Sequence, residues 1–267
     1  GRGCGGDYTF DVGTAGSTTL VFQTVFLPLA VAAREPSEIS FIGGTDNPMA
    51  PNFEFLASTY LEAVAHLRVA KEASLSFERH GFYPAGGGRF RAKIAPGSGP
   101  TYAEFLGRGE LENWSATAVV SRLPKTVGER EVGVLVKELG WERERCRVVA
   151  LGPSECDGPG NVVWTKLETG SFAEVISAVG ERGVPAERVA GTLARETRRF
   201  LDANVPVGEH LADQLILPMA VGKGGSYRTL TPSLHTRTQM ELVPLFTGRA
   251  ITSTPDGRDA VRIDVKP

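Results

Sequence analysis

The residue types best suited to chemistry lie in the stretch 208–243. His210, Asp213 and Gln214 stand three and four residues apart in a predicted helix, so their side chains lie on one side of it. A glycine-containing loop follows, and His235 stands at the predicted start of the next helix. This combination of an acid, an amide and a histidine beside a flexible loop is more typical of a site that binds a nucleotide and supplies a nucleophile than of packing alone. We therefore take this stretch as the candidate site.

His235 has two interpretations. Ser233 is a candidate N-cap, which places the imidazole at a helix start, where the neutral form that a nucleophile needs is favoured over the cation. A lone histidine is nevertheless more often structural than catalytic. His66, on a predicted helix face, and His80, at a strand end, have the ordinary structural interpretation. The residues alone leave both interpretations of His235 open.

Asp213 and Gln23 are the other ambiguous side chains. The helix dipole favours acidic residues near a helix start, which accounts for Glu209 and in part for Asp213. Asp213 could instead bind a metal or a ribose, or orient a histidine. Gln23 lies inside an otherwise apolar helix, where its amide either meets solvent or reaches a ligand. The small-residue loop before that helix could bind an anion, although a tight strand-to-helix connection is the simpler interpretation.

Composition narrows the class of protein. The chain has 267 residues and a net charge of −2, so any nucleic-acid contact must use a local patch or a strand terminus. Three cysteines without a C-x-x-C pair argue against a disulfide framework or a zinc site and predict a cytoplasmic protein. The longest apolar run, 20–33, is too short to cross a bilayer, and no signal peptide opens the chain. We expect no membrane association, and we expect an N-terminal portion to be missing.

Apolar periodicity predicts an α/β (α+β) fold. The first part of the chain has the order β-α-β-α-β-β, which indicates a unit with two helices over a four-stranded sheet. The predicted strands are 6–12, 37–43, 73–81 and 89–94, and the predicted helices are 20–33 and 52–71.

The middle of the chain has a different order, β-α-β-β-β-α, and helices at 208–221 and 235–243 then resemble the first unit. We therefore expect a large domain of repeated units, formed by 1–110 and 205–267, with a smaller α/β domain, 111–204, inserted into it.

Several short motifs together make the chain similar to the RNA 3′-terminal phosphate cyclase family. No single motif is specific to the family, but the occurrence of all of them in the family's order over nearly the whole chain is specific. The similarity is weakest in the predicted inserted domain. The motifs are GTAGST at 13–18 followed by Gln23, GGTDNP at 43–48, HGFYPAGGG at 80–88, GEHLADQ at 208–214 with LPMA at 217–220, and PSLHT at 232–236.

The resemblance implies the same repeat architecture and an ATP-dependent reaction of the ligase class. His235 would attack the α-phosphate of ATP, giving a histidine–AMP adduct and pyrophosphate. AMP would then pass to an RNA 3′-phosphate, and the neighbouring 2′-OH would displace it to form a 2′,3′-cyclic phosphate. A phosphate monoester needs such activation, because it is a poor electrophile until one of its oxygens belongs to a good leaving group.

The resemblance also implies ligands and partners. It implies Mg²⁺ or Mn²⁺ beside ATP, with Asp213 as a metal ligand, RNA with a 3′-terminal phosphate as partner, and a homodimer as one option for assembly. His210 stands where a tyrosine is common, so stacking on adenine would be altered. The positions that match the family's nucleotide-binding residues are Gln23, His210, Leu211, Ala212, Asp213 and Gln214.

Two other functions stay open. The family's opening segment, with its E-G-G-G-Q-x-x-R motif, is absent from this sequence, and a cyclase-like protein without catalysis would act as an RNA-binding factor in ribosome biogenesis. Relatives of that kind lack the nucleophilic histidine, so His235 favours the enzyme. An enolpyruvyl transferase shares the repeat architecture, but it needs clustered basic residues, and the seven lysines among 29 basic residues are not clustered suitably.

Overall fold

The computed structural model describes residues 4–267, so the first three residues of the predicted large domain lie outside it. Its strands form four-stranded sheets, three of them among the described residues. This confirms the predicted α/β (α+β) class. Across residues 4–267, no helix combines the length and apolar character needed to cross a membrane.

The first sheet has the strand order β1-β2-β4-β3, with β1 and β2 parallel and the other pairs antiparallel. It confirms the predicted unit of two helical segments and four strands. Its elements are β1 (Gly6–Asp11), α1 (Thr18–Ala32), β2 (Ser37–Gly43), α2 (Phe53–Phe55), a π-helical turn (Leu56–Tyr60), α3 (Leu61–His66), β3 (Ala70–Arg79) and β4 (Gly88–Pro96).

Alternation along these strands gives the sheet one buried face. In β4, the apolar residues Phe90, Ala92 and Ile94 are buried, while the basic residues that alternate with them are exposed. Phe90 stacks on Phe41 of β2 with ring centroids 4.6 Å apart, and Phe22 of α1 packs edge-on against both rings. Aromatic packing of this kind fixes α1, and with it Gln23, on the sheet.

The second sheet repeats the topology of the first. Its order is β11-β12-β10-β5, again with one parallel pair (β5 and β10) and two antiparallel pairs. Its elements in chain order are β5 (Ala103–Phe105), α6 (Glu209–Val221), β10 (Gly225–Leu230), α7 (Leu234–Thr247), β11 (Ile251–Pro255) and β12 (Ala260–Val265).

A third sheet, of order β7-β6-β8-β9, is formed by the chain between β5 and α6. One face packs against α4 and α5, and the other joins the core of the first unit through Val119, Val162 and Trp164. Its elements are β6 (Leu111–Ser121), α4 (Thr126–Leu139), a 3₁₀ turn (Arg143–Arg145), β7 (Cys146–Leu151), β8 (Gly160–Thr169), β9 (Ala173–Val179) and α5 (Ala186–Ala203). The domain boundaries at 110/111 and 204/205 stay a prediction.

The predicted helix 52–71 differs from the structure. It is divided by the π-helical turn, it ends at His66, and β3 has already begun at Ala70. Arg68 has a φ of 53°, in the left-handed region, and a right-handed helix cannot continue through that conformation. Arg68 N–H instead bonds the carbonyl of Ala65 at 2.9 Å, which ends the helix in a tight turn.

Candidate functional site

The loop before α1 is a packed connection. Gly44 N–H donates to the carbonyl of Gly16 at 2.9 Å, and Thr18 N–H donates to the carbonyl of Gly44 at 2.9 Å. The Ser17 side chain caps α1 by accepting from Leu20 N–H at 3.3 Å. The GTAGST and GGTDNP motifs therefore hold each other, and they fix the start of the helix that carries Gln23.

Two residues that the sequence analysis singled out meet directly. The Gln23 side-chain amide on α1 donates to the side-chain oxygen of Gln214 on α6, and both residues are half-buried. These residues lie in different units of the fold, 191 positions apart. Their contact places the amide of the first unit at the predicted nucleotide helix of the second.

The residues 210–214 divide between the two sides of α6. Leu211 and Ala212 are buried in the core, so their side chains contribute packing. His210 is exposed, and Asp213 and Gln214 are half-buried. The sequence analysis grouped all five, but the structure leaves the polar three as the side chains able to touch a ligand.

Asp213 senses the electrostatic field of both candidate histidines. Burial raises the pKa of its carboxyl, while the electrostatic fields of His210 and His235 act in the opposite direction. Both imidazoles are thus within electrostatic reach of one carboxylate. An acid in this position can bind a metal or a ribose or orient a histidine, which are the roles that the sequence left open.

His235 is exposed in the first turn of α7. The predicted cap is confirmed, because the Ser233 hydroxyl accepts from Thr236 N–H at 3.2 Å. An exposed imidazole at a capped helix start can approach an electrophile without moving the backbone. The geometry therefore meets the access requirement for a nucleophile.

Tyr227 is a supporting residue that the sequence analysis missed. It lies on β10, which was taken as part of a glycine loop, and it is fully buried beneath α6. Its hydroxyl donates to the carbonyl of Ala212. Burial, with a smaller effect from Asp213, raises the pKa of Tyr227 well above its usual value, so it stays a neutral donor.

The metal prediction rests on one carboxylate. Within residues 4–267, no group of three or more histidine, cysteine or acidic side chains is placed to hold a metal ion. Mg²⁺ is commonly bound through one or two carboxylates together with substrate phosphates. Asp213 fits a metal of that kind, whose remaining ligands come from a nucleotide.

His80 is more organised than the sequence analysis expected. Its Nδ1 lies 2.8 Å from a carboxylate oxygen of Asp46, which is almost fully buried and also accepts from the Thr45 hydroxyl at 2.8 Å. His80 lines a cavity of about 450 Å³ whose walls come from the first and third sheets. The pair joins the GGTDNP and HGFYPAGGG motifs, and none of the residues that line the cavity belongs to α6 or α7.

Comparisons with known proteins identify the family of the chain. A sequence model described as RNA 3′-terminal phosphate cyclase matches residues 1–253. The RNA 3′-terminal phosphate cyclase of Koribacter versatilis (strain Ellin345) is 39% identical over 241 residues, which cover 90% of this chain and 66% of that protein. The protein of the same name from Ectopseudomonas mendocina (strain ymp) is 37% identical over 263 residues, 98% of this chain and 75% of that protein. The chain thus spans just under two thirds of the first relative, and it belongs to the RNA 3′-terminal phosphate cyclase family.

Proposed function

We propose that the protein containing this chain uses ATP to convert an RNA 3′-terminal phosphate into a 2′,3′-cyclic phosphate. One observation carries the proposal: α1, α6 and α7 bring Gln23, Gln214, Asp213 and the exposed His235 to one region. The two relatives named above as RNA 3′-terminal phosphate cyclases support the substrate and the reaction.

The chemistry has three displacements. A ring nitrogen of His235 attacks the α-phosphorus of ATP, an N–P bond forms, and the bond to pyrophosphate breaks. An oxygen of the RNA 3′-phosphate then attacks the same phosphorus, which breaks the N–P bond and joins AMP to the RNA. Finally the 2′-oxygen attacks the 3′-phosphorus, loses its proton, and expels AMP.

The surrounding residues orient the nucleotide and the nucleophile. Gln23 and Gln214 offer amide donors and acceptors, and their mutual hydrogen bond holds both in place before a ligand arrives. Asp213 lies close enough to His235 to stabilise the positive charge that the ring gains on attack. The exposed His210 is the side chain available to lie against a base.

Asp213 is also the residue that would hold Mg²⁺ or Mn²⁺. Such an ion, when bound with ATP, offsets the negative charge of the phosphates. Asp213 can act both as a metal ligand and as the partner of a histidine, because a carboxylate has two oxygens.

Labelling with α-³²P-ATP tests the proposal on the full-length protein. We expect a covalent AMP adduct that is acid-labile, as phosphoramidates are, and that His235→Gln abolishes. His66→Gln is the matched control, since His66 is an exposed histidine on α3 that contacts the Ser171 carbonyl, away from this site. Equal labelling of His235→Gln and wild type would refute the assignment. RNA binding without any adduct would favour the non-catalytic, ribosome-biogenesis alternative.

The remaining expectations belong to the same proposal. The two buried cysteines, Cys146 and Cys156, form no disulfide, which suits a reducing, cytoplasmic compartment. A homodimer is one option for the assembly, and light scattering of the purified protein measures it directly.

A further inference from the structure

Helix α6 begins without a cap of its own. Its N-cap residue is Gly208, which has no side chain, and no side-chain hydrogen bond from that residue closes the first turn. Gly208 is buried, so water cannot readily satisfy its N–H group. Most helices solve this problem with a serine, threonine or aspartate at this position, as α7 does with Ser233. The start of α6 therefore needs a partner from elsewhere.

Glu174 on β9 supplies that partner. One of its carboxyl oxygens accepts from Gly208 N–H at 3.3 Å, and Glu174 is only 3% exposed. In a capping box, a glutamate three residues into the helix makes this bond back to the N-cap N–H. Here the glutamate comes from another sheet, 34 positions earlier in the chain.

Gly208 and Glu174 are fitted to each other. A Cβ atom added to Gly208 would lie 2.1 Å from the nearer Glu174 oxygen and 2.5 Å from its carboxyl carbon. Real carbon atoms do not approach so closely, and Glu174 is enclosed and cannot swing away. The glycine that leaves α6 without a cap is thus the residue that admits the external carboxyl.

The strand carrying Glu174 is itself anchored to the first unit. The N–H of Val175 donates to the Thr59 hydroxyl at 2.9 Å, and the N–H of Ala173 donates to the Glu62 carboxylate at 3.1 Å. Both neighbours of Glu174 on β9 are therefore bonded to the helical segment of the first unit. These two bonds fix the position of Glu174 relative to the first sheet, which also carries α1.

These contacts close a ring between the two units. On one side Gln23 of α1 bonds Gln214 of α6, and on the other β9 joins the first unit to the start of the same helix through Glu174. Asp213 and Gln214 lie within two turns of Gly208, so the axial position of the helix start sets where both side chains reach.

We propose that Glu174 is a positioning residue that caps α6 from the third sheet. By fixing the start of the helix, it holds Asp213 and Gln214 at the axial position that nucleotide binding requires. The nucleotide part rests on the function proposed above; the capping part does not. Burial raises the pKa of Glu174 to about 8, so the carboxyl is neutral near neutral pH, and glutamine is a close substitute.

The test compares Glu174→Ala with Glu174→Gln in the full-length protein. Loss of a helix cap weakens helix closure by about fivefold, so we expect faster amide exchange in the segment 208–214 of Glu174→Ala and a similar rise in the dissociation constant for ATP. Glutamine can accept the same hydrogen bond, and we expect it to restore both. A second variant, Gly208→Ser combined with Glu174→Ala, gives α6 its own cap in the space that the carboxyl vacates, and it should recover protection.

Glu131→Ala is the matched control, because it removes another buried glutamate beside the third sheet without touching α6. Unchanged exchange at 208–214 in Glu174→Ala would overturn the proposal, as would equal loosening by the alanine and glutamine variants. Should Glu174→Ala fail to fold, the glutamine and double variants decide the same question. Absence of ATP binding in every variant would count against the proposed function, while the exchange result would still decide whether Glu174 caps α6.

Discussion

Two glutamates outside the candidate site, Glu174 and Glu131, are buried and accept hydrogen bonds from distant parts of the chain. Glu174 serves the start of α6, whereas Glu131 of α4 accepts from the Asn161 amide at 2.9 Å. Its second oxygen is buried and has no hydrogen-bond partner among residues 4–267. Sequence patterns cannot reveal either role, because glutamate is normally a surface residue and its burial depends on distant strands. The polar residues of α6 were easier to predict, since their spacing along one helix already places them together.

Glu131 should make stability depend on pH. Burial raises its carboxyl pKa from 4.5 to about 7, so the folded state holds a proton that the unfolded state releases between those values. The free energy of unfolding therefore falls as pH rises through this window, by up to about 1.4 kcal/mol per pH unit. We expect Glu131→Gln to remove this part of the slope, measured by urea unfolding at several pH values. Parallel curves for variant and wild type would contradict the prediction.

At the scale of elements, local patterns predicted helices well and missed strands whose partners are remote. The cap at Ser233 and the helices α1, α6 and α7 follow from polar residues beside apolar periodic runs. The strands 225–230, 251–255 and 260–265 were not predicted, because each is short. In addition, the parallel partner of β10 is β5, and the whole third sheet separates these two strands along the chain. The end of α3 was misplaced because nothing in the residue type of Arg68 signals a left-handed backbone.

Replacement of Arg68 by glycine should therefore stabilise the protein. Its φ of 53° is unfavourable for any residue with a Cβ atom and costs glycine nothing. We expect Arg68→Gly to raise the free energy of unfolding by about 1 kcal/mol, less the entropy that glycine gains in the unfolded chain. Arg68→Ala, which removes the same exposed side chain but keeps the strain, is the control and should show no such gain. A loss of stability in the glycine variant would show that the side chain matters more than the backbone.

At the scale of the whole molecule, the third sheet interrupts the second repeat between its first strand and its first helix, yet it is docked on the first repeat. Besides the shared apolar core, two places carry specific contacts between them. One is β9, through the contacts of Glu174 and its neighbours. The other is the turn before β8, where Asp157 forms two hydrogen bonds with Arg79, at 2.7 and 3.0 Å. This turn connects β7 to β8, and it also lies on the HGFYPAGGG hairpin. Such contacts between distant segments leave no periodic signal in the sequence.

Gly160 gives the sharpest test of this second docking place. A Cβ atom there would lie 2.0 Å from the Phe82 ring, which is 1% exposed and has no room to turn aside. Overpacking of a closed contact costs about 1–3 kcal/mol, so we expect Gly160→Ala to lower the free energy of unfolding by about that amount. Gly133→Ala is the matched control: Gly133 lies in α4 with nothing within 4 Å of its would-be Cβ, and alanine should stabilise that helix by about 0.5–1 kcal/mol. Urea unfolding of the two variants measures both effects. If both were stabilised alike, the turn and the hairpin could not be packed as closely as the structure has them, and the third sheet would be held on the first repeat by β9 and the shared apolar core.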